Sequence, residues 1–343
     1  MIATTAVAPL RIGVIGVGRI GRMHAELIAH QVPGATLAAV YDAHEPSSRG
    51  VAADLRVPAA ASLEELFGSD LDAVAICSSS DTHVELVIAA AEAGKAVFCE
   101  KPVSLDLAEL DRALDAVQEA GVPFQIGFNR RFDPGHASVH EAVRSGEIGE
   151  PHLVRIPSRD PAPPTLEYVK TSGGLFLDMM IHDFDMARYV TGREVVEVFA
   201  RGTVRIEPSF AGVGDIDTAL VTLVHDDGCL TAIDNSRRAA YGYDQRVEVF
   251  GSEGVAVSEN PRAHAGAIVT AKGERRPPLP YFFLERYLPS YVREWQAFVE
   301  AVKSGTTPPA SVGDARAPLV IGLAALRSLH EGRPVRTDEV QAA

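Results

Sequence analysis

The sequence predicts an α/β protein of two domains. A doubly wound parallel sheet occupies residues 1–125, and an α+β domain with a large, open, mostly antiparallel sheet occupies 126–343. Three observations lead there. The chain has 343 residues, beyond the size at which one core stops growing. Up to about residue 125, short continuous apolar runs alternate with helical periods, the pattern of strands buried on both faces. After Arg131 the runs lengthen, alternate apolar with polar, and are separated by tight turns such as DDG and SEG.

In chain order, RIGVIGV (11–17) reads as a strand and leads into an amphipathic stretch ending near His30. ATLAAVYD (35–42) and AVAICS (73–78) are the next strands, followed by a helix from Asp81 to Gly94. AVFCE (96–100) and PFQIGF (123–128) flank a helix over 105–120. Helical segments over 134–145 and 174–191 surround a proline-rich loop, RDPAPPTLEYVKTSGG. The alternating runs VVEVFARGTVRIE, TALVTLVHDD, LTAIDNSRR and QRVEVFG form the second sheet, and helices near 285–304 and 313–331 close the chain.

GVIGVGRIGRMH contains Gly16-x-Gly18-x-x-Gly21 after a strand and at the opening of a helix. Asp42 ends the next strand, twenty-one residues past Gly21. Gly16 permits the tight turn, Gly18 lets the backbone approach a pyrophosphate, and Gly21 allows close helix packing. The helix N-terminus, with Arg19 and Ile20, supplies amide N–H groups to the phosphates. Asp42 would accept hydrogen bonds from a ribose diol and repel a 2′-phosphate. The pattern predicts a Rossmann domain that takes NAD in preference to NADP, although Arg49 nearby could accept a 2′-phosphate. Ser79 and His83, in CSSSDTH, fall on the same cofactor side, His83 as a packing or capping residue at a helix start. FCEKPVS places Glu100 and Lys101 at a strand's carboxyl end, where open parallel sheets bind ligands. Lys101 would stabilise a developing negative oxygen, with Glu100 holding its ammonium. A cis Lys101–Pro102 bond is expected.

FLDMMIHDFDMARYV (176–190) carries Asp178 and His182 four residues apart, one turn on one helix face. Such a pair either satisfies itself in the core or forms a general base with an orienting carboxylate. An unperturbed imidazole titrates at about 6.5, suited to taking a proton near neutrality. Asp183 and Asp185 face away from the pair, so no metal set is expected.

A net charge of −14 argues against a nucleic-acid partner. Apolar residues make up 46% and mean hydropathy is +0.05, with no run long enough to span a membrane. MIATTAVAPLRIGV has no basic stretch ahead of its apolar residues, so no signal peptide is expected. Cys77, Cys99 and Cys229 lie in apolar segments and suit a reduced, cytoplasmic protein.

Together the glycine loop, CSSSDTHVELVIAAAEAGKAVFCEKPVSLDLAEL, GFNRRFD and the distal Asp-x-x-x-His segment resemble the glucose–fructose oxidoreductase / inositol dehydrogenase superfamily over nearly the whole chain. SRDPAPPTLEYVKTSGGLFLDMMIHDFDMARY and DNSRRAAYGYDQRVEVFGSEG resemble its inositol-dehydrogenase branch most. The resemblance implies a homotetramer, NAD as cofactor, and oxidation of myo-inositol to 2-keto-myo-inositol. By position it implies Lys101, Asp178 and His182 as catalytic residues. Intact residues at these three positions argue against a non-catalytic NAD-binding regulator. Arg131, Asp160 and Tyr241 are candidate polyol contacts, and Arg130 a structural ion-pair partner. Another inositol isomer or an aldose such as glucose is the alternative substrate.

Overall fold

A computed structural model describes residues 8–341. The expectation of no signal peptide rests partly on residues 1–7, which lie outside the described residues. The chain divides into two compact units. One runs through Asn129 and takes up Tyr291–Arg316 as well; the other comprises Arg130–Ser290 and the chain from Ala317 on. The expected first boundary lies after residue 125, and the division into units falls after Asn129. The return of 291–316 to the first unit was not foreseen, because nothing in a helical period tells which sheet the helix covers.

The first unit is built on five parallel strands, β1 (Leu10–Ile15), β2 (Ala35–Tyr41), β3 (Ala73–Ile76), β4 (Ala96–Cys99) and β5 (Phe124–Ile126), in the order β2-β1-β3-β4-β5. Every residue of β3 and β4 is buried, as continuous apolar runs require when helices cover both faces. Helices α1 (Arg19–His30), α2 (Glu45–Leu55), α3 (Leu63–Gly68), α4 (His83–Glu92) and α5 (Leu107–Ala120) connect them. Their ends are written locally. Ser62 accepts from Glu65 N–H while the Glu65 carboxylate accepts from Ala61 N–H, and Asp106 caps Glu109 N–H.

The second unit holds an eight-stranded sheet. Its strands are β6 (Pro151–Arg159), β7 (Val195–Thr203), β8 (Thr218–His225), β9 (Leu230–Ser236), β10 (Asp244–Gln245), β11 (Val247–Gly251), β12 (Val255–Ser258) and β15 (Val335–Arg336). The order is β12-β11-β6-β9-β8-β7-β15, with β10 also paired to β6. All pairings are antiparallel except β6 with β9. Strands β13 (Ile268–Thr270) and β14 (Gly273–Arg275) form a separate hairpin. One face of the large sheet is covered by α6 (Pro134–Arg144) and α8 (Ile181–Thr191), which bury Val139, Phe184 and Val190 with Val154, Val198, Val221 and Ile233.

Two expectations need correction. The loop expected over 159–174 contains α7 (Leu166–Ser172), capped by Thr165, and the segment just before it, for which no element was expected, is β6 in the middle of the sheet. The helix expected over 174–191 is two pieces. Leu175–Met179 is a π-helical turn, with Met180 N–H donating to Leu175 O at 2.9 Å, and α8 begins at Ile181. A turn wider than the α-helix by one residue rotates the succeeding helix by roughly 100°, so four-residue spacing in this segment does not carry its α-helical meaning.

Candidate active site

In the first unit the loop after β1 has the expected glycine chemistry. Gly16 has φ +81°, and a Cβ there would stand 2.5 Å from the backbone of Ser78. A Cβ on Gly21 would stand 1.8 Å from Gly16 O. Around Gly18, by contrast, a Cβ meets nothing within 4 Å. Gly18 caps α1 without a side-chain hydrogen bond, so the first-turn amides open onto a space that a pyrophosphate fits. Asp42 Oδ2 accepts from Val17 N–H (2.7 Å) and Oδ1 from His44 N–H (2.8 Å), which fixes the carboxylate beside that loop. These residues fit NAD. Arg49 is exposed and paired with Glu45 on its own helix.

Arg19 and Ser79 are exposed and Ile20 is half-buried. His83 is 1% exposed, with Nδ1 2.8 Å from Pro102 O and Nε2 3.1 Å from Ser78 O. Both ring nitrogens therefore face protein carbonyls. That makes His83 a brace behind the loop and matches the packing role; it does not match a direct cofactor contact. Burial lowers its proton affinity. The Lys101–Pro102 bond is cis. Glu100 accepts from Lys101 N–H at 3.2 Å, and its other oxygen lies 2.7 Å from His24 Nε2. Lys101 itself is half-buried.

In the second unit the Asp178 segment is built for exposure at two points. From Leu175 to Ala187 every residue is buried except Asp178 and His182, which are half-buried. Gly174, at φ +74°, lets the turn start against Asp215, whose Oδ1 accepts from Leu175 N–H at 3.0 Å. Asp178 Oδ1 accepts from Tyr168 Oη–H at 2.8 Å, and Oδ2 lies 3.4 Å from Arg237 Nη1. Arg237 is 1% exposed and also 3.9 Å from Asp215. Neither Tyr168 nor Arg237 was singled out in the sequence, where nothing separates Arg237 from its neighbour Arg238.

Arg130 and Arg131 are both buried ion-pair partners. Arg130 Nη1 donates to Asp183 (2.7 Å), which also accepts from Asn235 Nδ2 (2.9 Å). Arg131 Nε and Nη2 grip both oxygens of Asp185 at 2.8 and 2.5 Å. Arg131, expected to donate to substrate hydroxyls, thus places two of its guanidinium nitrogens on a buried aspartate. Asp183 and Asp185 are buried, whereas Asp178 and His182 are half-buried.

Asp160 is half-buried just past the end of β6. Desolvation, with Asp178 and Asp183 adding to it, pushes its carboxyl up to about 6 against the opposing pull of Arg237 and Arg130. It therefore belongs to the same electrostatic neighbourhood as Asp178. Tyr241 is 54% exposed and bonded to Asp244 (2.5 Å) and Arg159 (2.8 Å). Tyr243, two residues on, is buried and feels Arg130, Asp160 and Asp183, so it is the tyrosine nearer the Asp160 group. Among the described residues no group of three or more His, Cys, Asp or Glu could hold a metal, and no helix is long and apolar enough to cross a membrane.

Residues 10–128 match the oxidoreductase family with an NAD-binding Rossmann fold, and residues 136–257 match the GFO/IDH/MocA C-terminal domain. The chain is 50% identical over 333 residues to myo-inositol 2-dehydrogenase of Thermotoga maritima, covering 96% of this chain and 99% of that one. It is 38% identical to scyllo-inositol 2-dehydrogenase (NAD(+)) of Bacillus subtilis, covering 97% and 98%. A crystal structure of scyllo-inositol dehydrogenase from Lactobacillus casei with bound NAD(H) and scyllo-inositol superposes with a TM-score of 0.89 at 30% identity, covering 96% of this chain and 99% of that one. The chain is an NAD-dependent oxidoreductase and belongs to the GFO/IDH/MocA family.

Proposed function

We propose that this protein oxidises myo-inositol, or a close inositol isomer, at one secondary hydroxyl to the 2-keto product. The observation that carries this reading is the exposure pattern of the Asp178 segment: a carboxylate and an imidazole are the two half-exposed side chains in an otherwise buried run. NAD, when bound to the first unit, accepts the hydride. His182 takes the hydroxyl proton. Asp178, held in place by Tyr168 and Arg237, carries the negative charge that favours the imidazolium. Lys101 donates to the same oxygen and favours its alkoxide character. Asp160 supplies a further hydroxyl acceptor.

Relatives named for the myo and the scyllo isomer both align over nearly the whole chain, which supports an inositol and leaves the choice of isomer to side chains lining the sugar. NAD reduction across a panel of inositols and aldoses tests the reading. Turnover with myo-inositol well above that with glucose is expected; preference for an aldose would overturn it.

The functional form proposed is a homotetramer in the cytoplasm. Three buried free thiols suit a reducing compartment. The outward sheet face carries a cross-strand row, Val255–Phe250–Leu153–Leu230–Val224, of which Val255, Phe250 and Leu230 are about half exposed. Such a row calls for a covering surface, and a second copy of the same sheet fits it. Light scattering should give four chains per particle; a stable monomer would contradict the assignment.

A further inference from the structure

His24 is fully buried on α1 and makes two hydrogen bonds of fixed polarity. Trp295 Nε1–H donates to His24 Nδ1 at 2.8 Å. An indole N–H can only donate, so Nδ1 must be the acceptor and carries no proton. The ring proton therefore sits on Nε2, which lies 2.7 Å from Glu100 Oε1 and donates to it. Phe98, Tyr291 and Trp295 hold the ring edge-on, with centroids at 5.3, 5.5 and 5.7 Å. Glu100 Oε2 accepts from the backbone N–H of Lys101. The chain of bonds Trp295–His24–Glu100–Lys101 thus has its polarity set from the indole inward.

We infer that His24 is a positioning residue for Lys101. Its Trp295-fixed tautomer orients the Glu100 carboxylate, which anchors the Lys101 backbone next to the side chain that acts. The buried groups around Glu100 differ from His24 in where their protons are directed. Cys77 and Cys99 are buried with thiols pushed well up, so they stay neutral. Glu294, on the helix that carries Trp295, is fully buried with no hydrogen-bond partner at either oxygen, and burial beside Glu100 pushes its carboxyl well up. None of these three makes a side-chain hydrogen bond to the Glu100 carboxylate: the Cys99 thiol donates to the Glu100 backbone carbonyl, and both Glu294 oxygens stand without a partner. A histidine that merely filled space would not need an indole to fix its proton.

The inference rests on Lys101 acting on the substrate oxygen, and two measurements separate its failure from the failure of that reading. The first is the 15N spectrum of the histidines in the whole protein, with His24 assigned by its loss in His24→Phe. A neutral ring protonated at Nε2 is expected at neutral pH. The Nδ1-protonated tautomer, or an imidazolium, would overturn the inference whatever the enzyme's substrate. The second is steady-state kinetics with NAD and myo-inositol. His24→Phe keeps the aromatic packing but removes both hydrogen bonds. It should lower kcat by about tenfold, the scale of a slightly misplaced catalytic group, with the KM for NAD nearly unchanged. His24→Gln, which can accept from Trp295 and donate to Glu100, should restore most of that loss at equal thermal stability. Wild-type kcat in His24→Phe, or a His24→Gln variant no better than it, would sink the positioning role.

Discussion

The glycine loop of the first unit and the Asp178 segment of the second, the two parts of the proposed site, are held by opposite means. In the loop, Gly16, Gly18 and Gly21 lie within six residues, and what it offers is backbone. In the Asp178 segment the three buried ion pairs reach far along the chain, with only Tyr168 as a nearer partner of Asp178: Arg237 is 59 residues from Asp178, Arg130 is 53 from Asp183, and Arg131 is 54 from Asp185. A backbone device tolerates changes in its surroundings. A device of buried charges depends on each partner, because removing one leaves the other desolvated and uncompensated.

The largest expected effect tests that dependence directly. Arg130→Met should cost about 3–5 kcal/mol of folding stability by leaving Asp183 buried without its cation. Urea unfolding monitored in the second unit measures it, and a loss below about 1 kcal/mol, the range of a surface pair, would break the contrast. Next comes the chemistry. His182→Ala should lower kcat on the order of a hundredfold, the usual scale for removing a general base, while NAD affinity stays put. Asp178→Asn should act in the same direction and leave NAD affinity equally untouched. If His182→Ala keeps near wild-type turnover, the exposed pair is structural.

A smaller effect is expected on the backbone side. Asp42→Ala removes two acceptors for a ribose diol and should raise the KM for NAD by about tenfold, with a narrower preference over NADP. Equal efficiency of the wild type with both cofactors would refute the role of Asp42. The smallest effect is a pH dependence. The folded protein raises Asp160 to about 6 from an ordinary carboxyl value, so its protonated form is favoured by folding. That contribution is complete below about pH 4 and is lost as pH rises to about 6. Asp160→Asn should therefore match the wild type at pH 4 and exceed it at pH 7.5 by about 1 kcal/mol, a value reduced for partial solvent exposure. Chemical denaturation at the two pH values reads the difference.

The same contrast explains how much was legible. Strands β1 to β5, the glycine loop, Asp42 and the cis Lys101–Pro102 turn all rest on local signals, and the sequence carries them. Strand β6 was hidden by Pro151 and Pro157, which read against a central strand, although its inward residues Val154, Ile156 and Ser158 alternate cleanly. The π-helical turn has no sequence period of its own; it depends on Gly174 meeting Asp215, forty-one residues away. The pairing of Arg131 with Asp185 spans 54 residues, so no local signal joins the two in the sequence. Tyr241 and Tyr243 are alternatives that only the burial of one and exposure of the other can separate. His24 gave no signal, since the indole that sets its proton lies 271 residues on.

That last separation has a consequence during synthesis. The five strands of the first unit are complete once Ile126 has been added, yet Trp295, which stacks on Phe98 and completes the cover of His24, belongs to the same unit and is made much later. At ribosomal rates of roughly 5–20 residues per second, the nascent sheet waits on the order of ten to thirty seconds for that ring. Until then the apolar surface around Phe98 stays uncovered, and a chain released early leaves with a parallel sheet that lacks the ring packed on it.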